Sequence, residues 1–142
     1  MQVGQIIRRK GGEVASVAPG MPATEIATIL RHRGIGAVLV LETGGKLAGI
    51  VSERDIVHAL AEHARGVADL TAADLMTTDV QTCKPAHEID QVMRIMTDKR
   101  FRHLPVMDSG RLIGVISIGD AVKSRIEELE HERNALESFV HQ

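Results

Sequence analysis

The chain has almost no aromatic side chains: its 142 residues include two Phe and neither Trp nor Tyr. Proteins that bind single-stranded nucleic acid without sequence preference stack bases on aromatic rings, and such rings are nearly absent here. The formal net charge of −2 at pH 7 also gives no excess of cations for a phosphate backbone. The composition therefore predicts no nucleic-acid partner.

Cysteine and long apolar runs are also scarce. The single Cys83 can form no disulfide within the chain and has no CxxC partner for zinc. No apolar run reaches the roughly 18 residues that a membrane-spanning helix needs. The opening MQVGQIIRRKGG lacks the order of charge and apolar run found in a signal peptide. We therefore expect a cytoplasmic protein with no membrane association.

Sequence signatures of catalysis are missing too. The chain contains no Walker A run, no G-x-G-x-x-G and no G-x-S-x-G, so no motif for nucleotide hydrolysis, hydride transfer or a nucleophilic Ser is present. Among seven His, the close pair His58 and His63 is five residues apart (63 − 58), which does not place both on one helix face. We therefore predict no enzymatic activity, no catalytic residue and no metal site.

An internal repeat fills most of the chain. GIVSERD at 49–55 matches GVISIGD at 114–120, with an offset of 65 residues (114 − 49). The match extends upstream: the stretch 37–49 parallels 103–114, and 13–20 parallels 79–86. The sequence is therefore two copies of about 60 residues each.

Each copy predicts the element order β-α-β-β-α. A short strand (Val14–Val17; Val80–Cys83) ends at a Pro. A helix follows, and in the second copy its apolar residues have helical spacing at Ile89, Val92, Met93 and Met96. A hairpin comes next, at Ala37–Leu41 with Lys46–Val51 and at Leu104–Met107 with Arg111–Ile116. The last helix of each copy begins after Ser52 or Ser117. The predicted class is α+β.

One copy alone buries little apolar surface, so we expect the two to pack together with pseudo-two-fold symmetry. The predicted boundaries are 1–65 for the first repeat, 66–78 for a linker with a short helix around Ala72–Met76, and 79–125 for the second repeat. Residues 126–142 extend the final helix.

The final helix carries an apolar stripe with steps of four and three residues, interrupted by Arg133: Val122, Ile126, Leu129, Leu136 and Val140. Two interpretations remain open. The helix could fold back on its own core, or the stripe could form a seam with another subunit. We favour the seam slightly.

The repeated Ser-x-x-Asp has two interpretations. Ser at the N-cap and an acid in the first turn form a helix cap. The same helix start offers N–H groups and partial positive charge to a phosphate, and the carboxylate can accept hydrogen bonds from a ribose diol. The residues alone leave both open, because a duplicated helix would also duplicate its cap.

Two copies of G-[IV]-[VI]-[ST]-x-x-D, each after a hairpin, and RHLPV at 102–106 resemble a tandem pair of CBS (cystathionine β-synthase type) domains, often called a Bateman module. The resemblance covers about residues 3–125 and is strongest to free-standing bacterial regulatory proteins. It implies a disc-like homodimer with an unidentified protein target. It also implies clefts between the repeats that bind adenosine-containing ligands such as AMP, ADP, ATP, NAD(H) or S-adenosylmethionine, with no cofactor required.

By that resemblance, one cleft would be formed by Ser52, Asp55, Thr78, Val80, Phe101, Arg102, His103 and Pro105. The other would be formed by Ser117, Asp120, Gly12, Val14, Ile35, Gly36, Ala37 and Leu39. KRFRH at 99–103 supplies cations to the first cleft, and the guanidinium of Arg102 could pair with a phosphate. We therefore expect the Asp55 cleft to bind phosphate better. The Asp120 cleft would accept a neutral adenosyl group or stay empty.

These observations predict a non-catalytic sensor of adenosine-containing ligands. The alternative is a ligand-independent dimerisation or docking scaffold. The two differ over Asp55 and Asp120, whose carboxylates a sensor needs as ligand acceptors and a scaffold needs only as helix caps.

Overall fold

A computed structural model describes residues 1–11, 14–64 and 66–141. It divides the chain into two compact units. The first-repeat unit comprises the described residues of Val14–Val80, and the second-repeat unit comprises those of Met1–Glu13 and Gln81–Gln142. Along the chain the elements are α1 (Val3–Lys10), β1 (Ser16–Val17), α2 (Ala23–Arg33), β2 (Ala37–Leu41), β3 (Leu47–Ser52), α3 (Glu53–Glu62), a 3₁₀ turn (Val67–Asp69), α4 (Ala72–Leu75), α5 (Ile89–Lys99), β4 (His103–Asp108), β5 (Arg111–Ser117) and α6 (Ile118–Val140).

In the first-repeat unit, a three-stranded sheet has the order β1-β2-β3. β1 pairs with β2 in parallel, and β2 pairs with β3 as an antiparallel hairpin. Helix α2 ends at Gly34, whose left-handed φ of 61° lets its N–H bond back to the carbonyls of Leu30 and Arg31. The core between sheet and helices is formed by Val17, Ile26, Leu30, Val38, Val40, Val51 and Ala72.

In the second-repeat unit, β4 and β5 form an antiparallel hairpin. One core contains residues of α1, α5, α6 and both strands, together with Cys83 from the segment before α5: Val3, Ile6, Ile7, Cys83, Ile89, Val92, Met96, Leu104, Val106, Ile116 and Ala121. The predicted stripe of α5 is thus confirmed for Ile89, Val92 and Met96. Both units combine helices with an antiparallel hairpin, which confirms the α+β class.

Helix α1 was not predicted, and it belongs to the second-repeat unit although residues 1–65 were assigned to the first repeat. Its N–H groups at Val3 and Gly4 donate to the carbonyls of His87 and Pro85, each at 2.9 Å. Val3, Ile6 and Ile7 have the spacing of one helix face and are buried in this unit's core. Long-range packing of that face therefore decides where α1 lies.

The first strand of each copy is shorter than predicted. Only Ser16–Val17 forms a strand in the first. The predicted strand Val80–Cys83 is wrong: Cys83 alone makes a parallel bridge to Val106. Of that run only Cys83 is buried, so the rest gains little by pairing. The short helix predicted around Ala72–Met76 is confirmed as α4, and it lies within the first-repeat unit.

Helix α6 runs to Val140, and its apolar stripe lies exposed. The side chains of Val122, Ile126, Leu129, Leu136 and Val140 are 39% to 75% accessible. The interpretation in which this stripe folds back on the protein's own core is therefore wrong. Within the described residues, no helix is both long and apolar enough to cross a membrane.

The repeated Gly of each motif lies in a strand at a point where a neighbouring segment packs closely against the strand's backbone. A Cβ added at Gly49 would lie 2.7 Å from the Thr77 carbonyl oxygen and 2.9 Å from the Met76 Cβ. The backbone cannot move away easily, because Thr77 exchanges two hydrogen bonds with Ile50, at 2.9 and 3.1 Å. At Gly114 the added Cβ would meet the Ile7 side chain instead of backbone, at 2.8 Å from its Cδ1 and 3.2 Å from its Cγ2.

We therefore expect Gly49→Ala to lower the free energy of unfolding by about 1–3 kcal/mol, and Gly114→Ala to lower it less. Urea unfolding followed by circular dichroism measures both. Gly20→Ala is the control, since nothing lies within 4 Å of a Cβ added there. Equal losses at Gly49 and Gly20 would contradict this explanation of the repeated Gly.

Candidate functional site

In the first-repeat unit, the Ser-x-x-Asp motif lies where β3 passes into α3. The Asp55 Oδ2 accepts hydrogen bonds from the Ser52 N–H at 2.7 Å and from the Ser52 hydroxyl at 2.9 Å. The Ser52 hydroxyl oxygen accepts from the Asp55 N–H at 3.4 Å. Ser52 stands opposite Ala37 in the hairpin, and the next N–H, of Glu53, donates to the Gly36 carbonyl at 2.9 Å. The motif is therefore fixed to the start of β2.

The second-repeat unit repeats this arrangement between β5 and α6. The Asp120 Oδ2 accepts from the Ser117 N–H at 2.9 Å, and the Ser117 hydroxyl oxygen accepts from the Asp120 N–H at 3.0 Å. Ser117 stands opposite His103, and the Ile118 N–H donates to the Arg102 carbonyl at 2.8 Å. The motif is thus fixed beside the first residues of β4.

Both motifs are capping boxes, which confirms the helix-cap interpretation. The capping bonds use only one oxygen of each carboxylate, Oδ2. Within the part of the chain that the structure describes, neither Oδ1 receives a hydrogen bond. A carboxylate has about four lone-pair positions, so each Asp can cap its helix and still accept a donor from a ligand. The two interpretations do not exclude each other.

The electrostatic surroundings of the two carboxylates differ. The Lys10 ammonium, at the end of α1, lies 2.7 Å from the Asp120 Oδ2 and 3.0 Å from the Val115 carbonyl oxygen. Among the described residues, Asp55 has no ion pair of this kind.

The pKa of Asp120 is set by opposing effects. Partial burial raises it, but the hydrogen bonds from Lys10 and Ser117 and the charge of Lys10 together hold it below its ordinary value of 3.8. The ionised carboxylate therefore stabilises the fold above the unfolded-state pKa, and this contribution is lost as the pH falls through the lower, folded-state pKa. At neutral pH Asp120 is a charged acceptor.

The structure distributes the residues predicted for the two clefts between its two units. The first-repeat unit holds Val14, Ile35, Gly36, Ala37, Leu39, Ser52, Asp55, Thr78 and Val80. The second-repeat unit holds Phe101, Arg102, His103, Pro105, Ser117 and Asp120. Gly12 lies outside the described residues. Within a unit, Ser52 is brought to Gly36 and Ala37, and Ser117 to Arg102 and His103. The grouping of residues from different repeats stays a prediction.

Several of these residues have packing roles. Leu39 and Pro105 are fully buried in their strands. Ile35 and Phe101 are partly buried against the cores of their own units. Thr78 and Arg102 are exposed. The candidate site in each unit therefore centres on its Ser-x-x-Asp and on the residues where its hairpin begins.

Sequence reasoning missed Lys10 as a member of the site. Its partner Asp120 is 110 residues away, and no local pattern indicates that contact. The available signal was the amphipathic run from Val3 to Ile7 followed by Arg8, Arg9 and Lys10, which predicts a helix with cations in its last turn. The described residues contain no group of three His, Cys, Asp or Glu side chains arranged to hold a metal ion.

The sequence profile of the CBS domain matches this chain twice, over residues 3–62 and 72–127. A crystal structure of a CBS-domain containing protein from Agrobacterium tumefaciens is 42% identical, with a TM-score of 0.86, covering 88% of this chain and 99% of that one. The CBS domain-containing protein YhcV of Bacillus subtilis is 29% identical over 131 residues, 92% of this chain and 91% of YhcV.

A third relative was solved with ligands. The CBS domain pair of protein MJ0100, in complex with 5′-methylthioadenosine and S-adenosyl-L-methionine, is 25% identical, with a TM-score of 0.76, covering 87% of this chain and 98% of that one.

Other relatives are longer. The chain spans 62% of a Methanopyrus kandleri protein (32% identical over 124 residues, 87% of this chain) and 56% of the mitochondrial protein CBSX3 of Arabidopsis thaliana (31% identical over 115 residues, 78% of this chain). The double profile match and these relatives show that the chain belongs to the CBS domain family and contains two CBS repeats.

Proposed function

We propose that this chain is a non-catalytic regulatory module that binds an adenosine-containing ligand at its Ser-x-x-Asp motifs. One observation carries the proposal: the two oxygens of each carboxylate differ in their contacts. Oδ2 accepts the capping hydrogen bond, and Oδ1 receives no hydrogen bond within the described residues. The ligands bound by the related MJ0100 pair, 5′-methylthioadenosine and S-adenosyl-L-methionine, both contain adenosine.

The chemistry of the motif suits the parts of such a ligand. The Oδ1 of Asp55 or Asp120 can accept a hydroxyl hydrogen of the ribose diol. The N-termini of α3 and α6 carry partial positive charge, which favours a phosphate group where the ligand has one. Gly36 and Ala37, beside Ser52, have no bulky side chains to obstruct an approaching base. AMP, ATP, NAD(H) and S-adenosylmethionine all contain the required adenosine.

Regulation requires more than binding. A ligand changes a conformational equilibrium only if it binds one conformation more tightly than the other. We propose that the bound adenosine ligand shifts the population of this module's conformations and that a separate protein target reads the change. The module itself performs no chemical step on the ligand.

Thermal unfolding tests the binding. A ligand at about one hundred times its Kd should stabilise the fold by roughly 2.7 kcal/mol, a rise in Tm on the order of 5–10 °C for a chain of this size. We expect this rise with at least one of AMP, ATP, NADH and S-adenosylmethionine.

Asp55→Ala and Asp120→Ala identify the site in the same assay, because each removes one carboxylate. We expect at least one of them to abolish the rise. Asp74→Ala is the matched control, since Asp74 forms the same capping box with Thr71 at the start of the four-residue helix α4. No rise with any ligand would refute the sensor and favour the ligand-independent scaffold.

We also propose that a second copy of this chain covers the exposed stripe of α6. Its steps of four and three residues are those of a coiled-coil seam. Lys123 and Arg125 flank the first half of the stripe, and Glu130, Glu132 and Glu137 flank the second half. This distribution is complementary to an identical helix that runs in the opposite direction.

Light scattering coupled to size-exclusion chromatography tests the second copy. We expect a dimer that Leu136→Lys weakens by at least about tenfold in Kd, because a charge then replaces an apolar side chain in the seam of both copies. Asn134→Lys adds the same charge to the same helix outside the stripe, and it should leave the dimer intact. A wild-type monomer, or equal weakening by both changes, would contradict the proposal.

A further inference from the structure

The two Ser-x-x-Asp motifs differ in the charge beside the carboxylate. We trace this difference to the lengths of α1 and α4, the helices that lead to the contacts with Gly114 and Gly49. In the first-repeat unit, α4 ends at Leu75 after four residues, and Thr77 then pairs with Ile50 of β3. In the second-repeat unit, α1 has the corresponding place: Ile7 faces Gly114 as Met76 faces Gly49. However, α1 is eight residues long and ends at Lys10, three residues beyond Ile7 (10 − 7). This additional length brings an ammonium group to Asp120.

Lys10 is held by two contacts and keeps capacity for a third. Its ammonium has three donors and no acceptor. Two donors are used by the Asp120 Oδ2 and the Val115 carbonyl oxygen. The Lys10 side chain is 42% exposed and the Asp120 side chain 27% exposed, so solvent, and hence a ligand, can reach both. A cation in this position also neutralises the carboxylate, which would otherwise repel a phosphate.

We propose that Lys10 makes the Ser117–Asp120 site selective for phosphorylated adenosine ligands, whereas the Ser52–Asp55 site discriminates less between phosphorylated and neutral ones. The inference rests on the proposed function and adds the ligand class for each motif. It reverses the expectation from KRFRH, which gave the phosphate to Asp55. The reversal follows from geometry: Arg102 and His103 lie beside Ser117 in the same unit, and Lys10 contacts Asp120 directly.

Titration calorimetry with AMP and with adenosine tests this selectivity. The Asp55→Asn chain removes the first-repeat carboxylate, so that binding reports on Asp120. We expect it to bind AMP more tightly than adenosine. Adding Lys10→Met should lower the ratio Kd(adenosine)/Kd(AMP) by about tenfold or more, the value of one charge-assisted hydrogen bond. Lys10→Arg keeps the charge and should retain most of the ratio.

Arg9→Met is the matched control, because Arg9 is a neighbouring cation of α1 whose exposed ion pair is with Glu127 instead. It should leave the ratio unchanged. The Asp120→Asn chain, which reports on Asp55, should show a smaller ratio Kd(adenosine)/Kd(AMP) than the Asp55→Asn chain.

The outcomes separate the two proposals. If both ligands bind but Lys10→Met leaves the ratio unchanged, the role of Lys10 is refuted and the adenosine-binding function stands. A preference for AMP that survives Asp120→Asn and is lost with Asp55→Asn would also refute it. If the wild-type chain binds neither ligand, the selectivity proposal fails, and the thermal-unfolding assay with ATP, NADH and S-adenosylmethionine decides the adenosine-binding function separately.

Discussion

The hydrogen bond from a Ser backbone N–H to the Asp three residues later is the interaction on which both units depend. It ends a strand and begins a helix at one position, Ser52 or Ser117. Because that Ser is also paired with the start of the hairpin, the carboxylate is held at a fixed place beside the hairpin. The carboxylate is thereby already oriented when a ligand arrives, and binding needs no further ordering of it.

In each motif, the glycine allows a neighbouring segment to pack closely against the strand. Met76 and Thr77 pack against Gly49, and Ile7 packs against Gly114. Each of these partners lies in or just after a short helix that precedes a repeat in the chain. The two units use the same packing, but α1 is four residues longer than α4 (8 − 4). That difference, rather than the motif itself, places the Lys10 ammonium at Asp120, whereas no cation among the described residues forms an ion pair with Asp55.

Local sequence patterns predicted the hairpins, α2, α5 and both capping boxes, because alternation, helical spacing and capping act within a few residues. The strand expected at Val80–Cys83 failed because one buried side chain does not sustain a strand. The contact of Lys10 with Asp120 spans 110 residues and depends on how α1 packs, which no local pattern contains. Whether the α6 stripe faces the core or the solvent likewise depends on long-range packing, which no local pattern contains.

We infer above all that one carboxylate both caps a helix and receives the ligand. Amide chemical shifts in a ¹⁵N-labelled chain test it most directly during titration with AMP. We expect the largest shifts at Ser117 and Asp120, and we expect them to disappear in Asp120→Asn while the amide spectrum of the remaining fold persists. The claim would be contradicted if the largest shifts occurred in α6 beyond Leu129, or if the shifts at Ser117 and residue 120 were undiminished in Asp120→Asn.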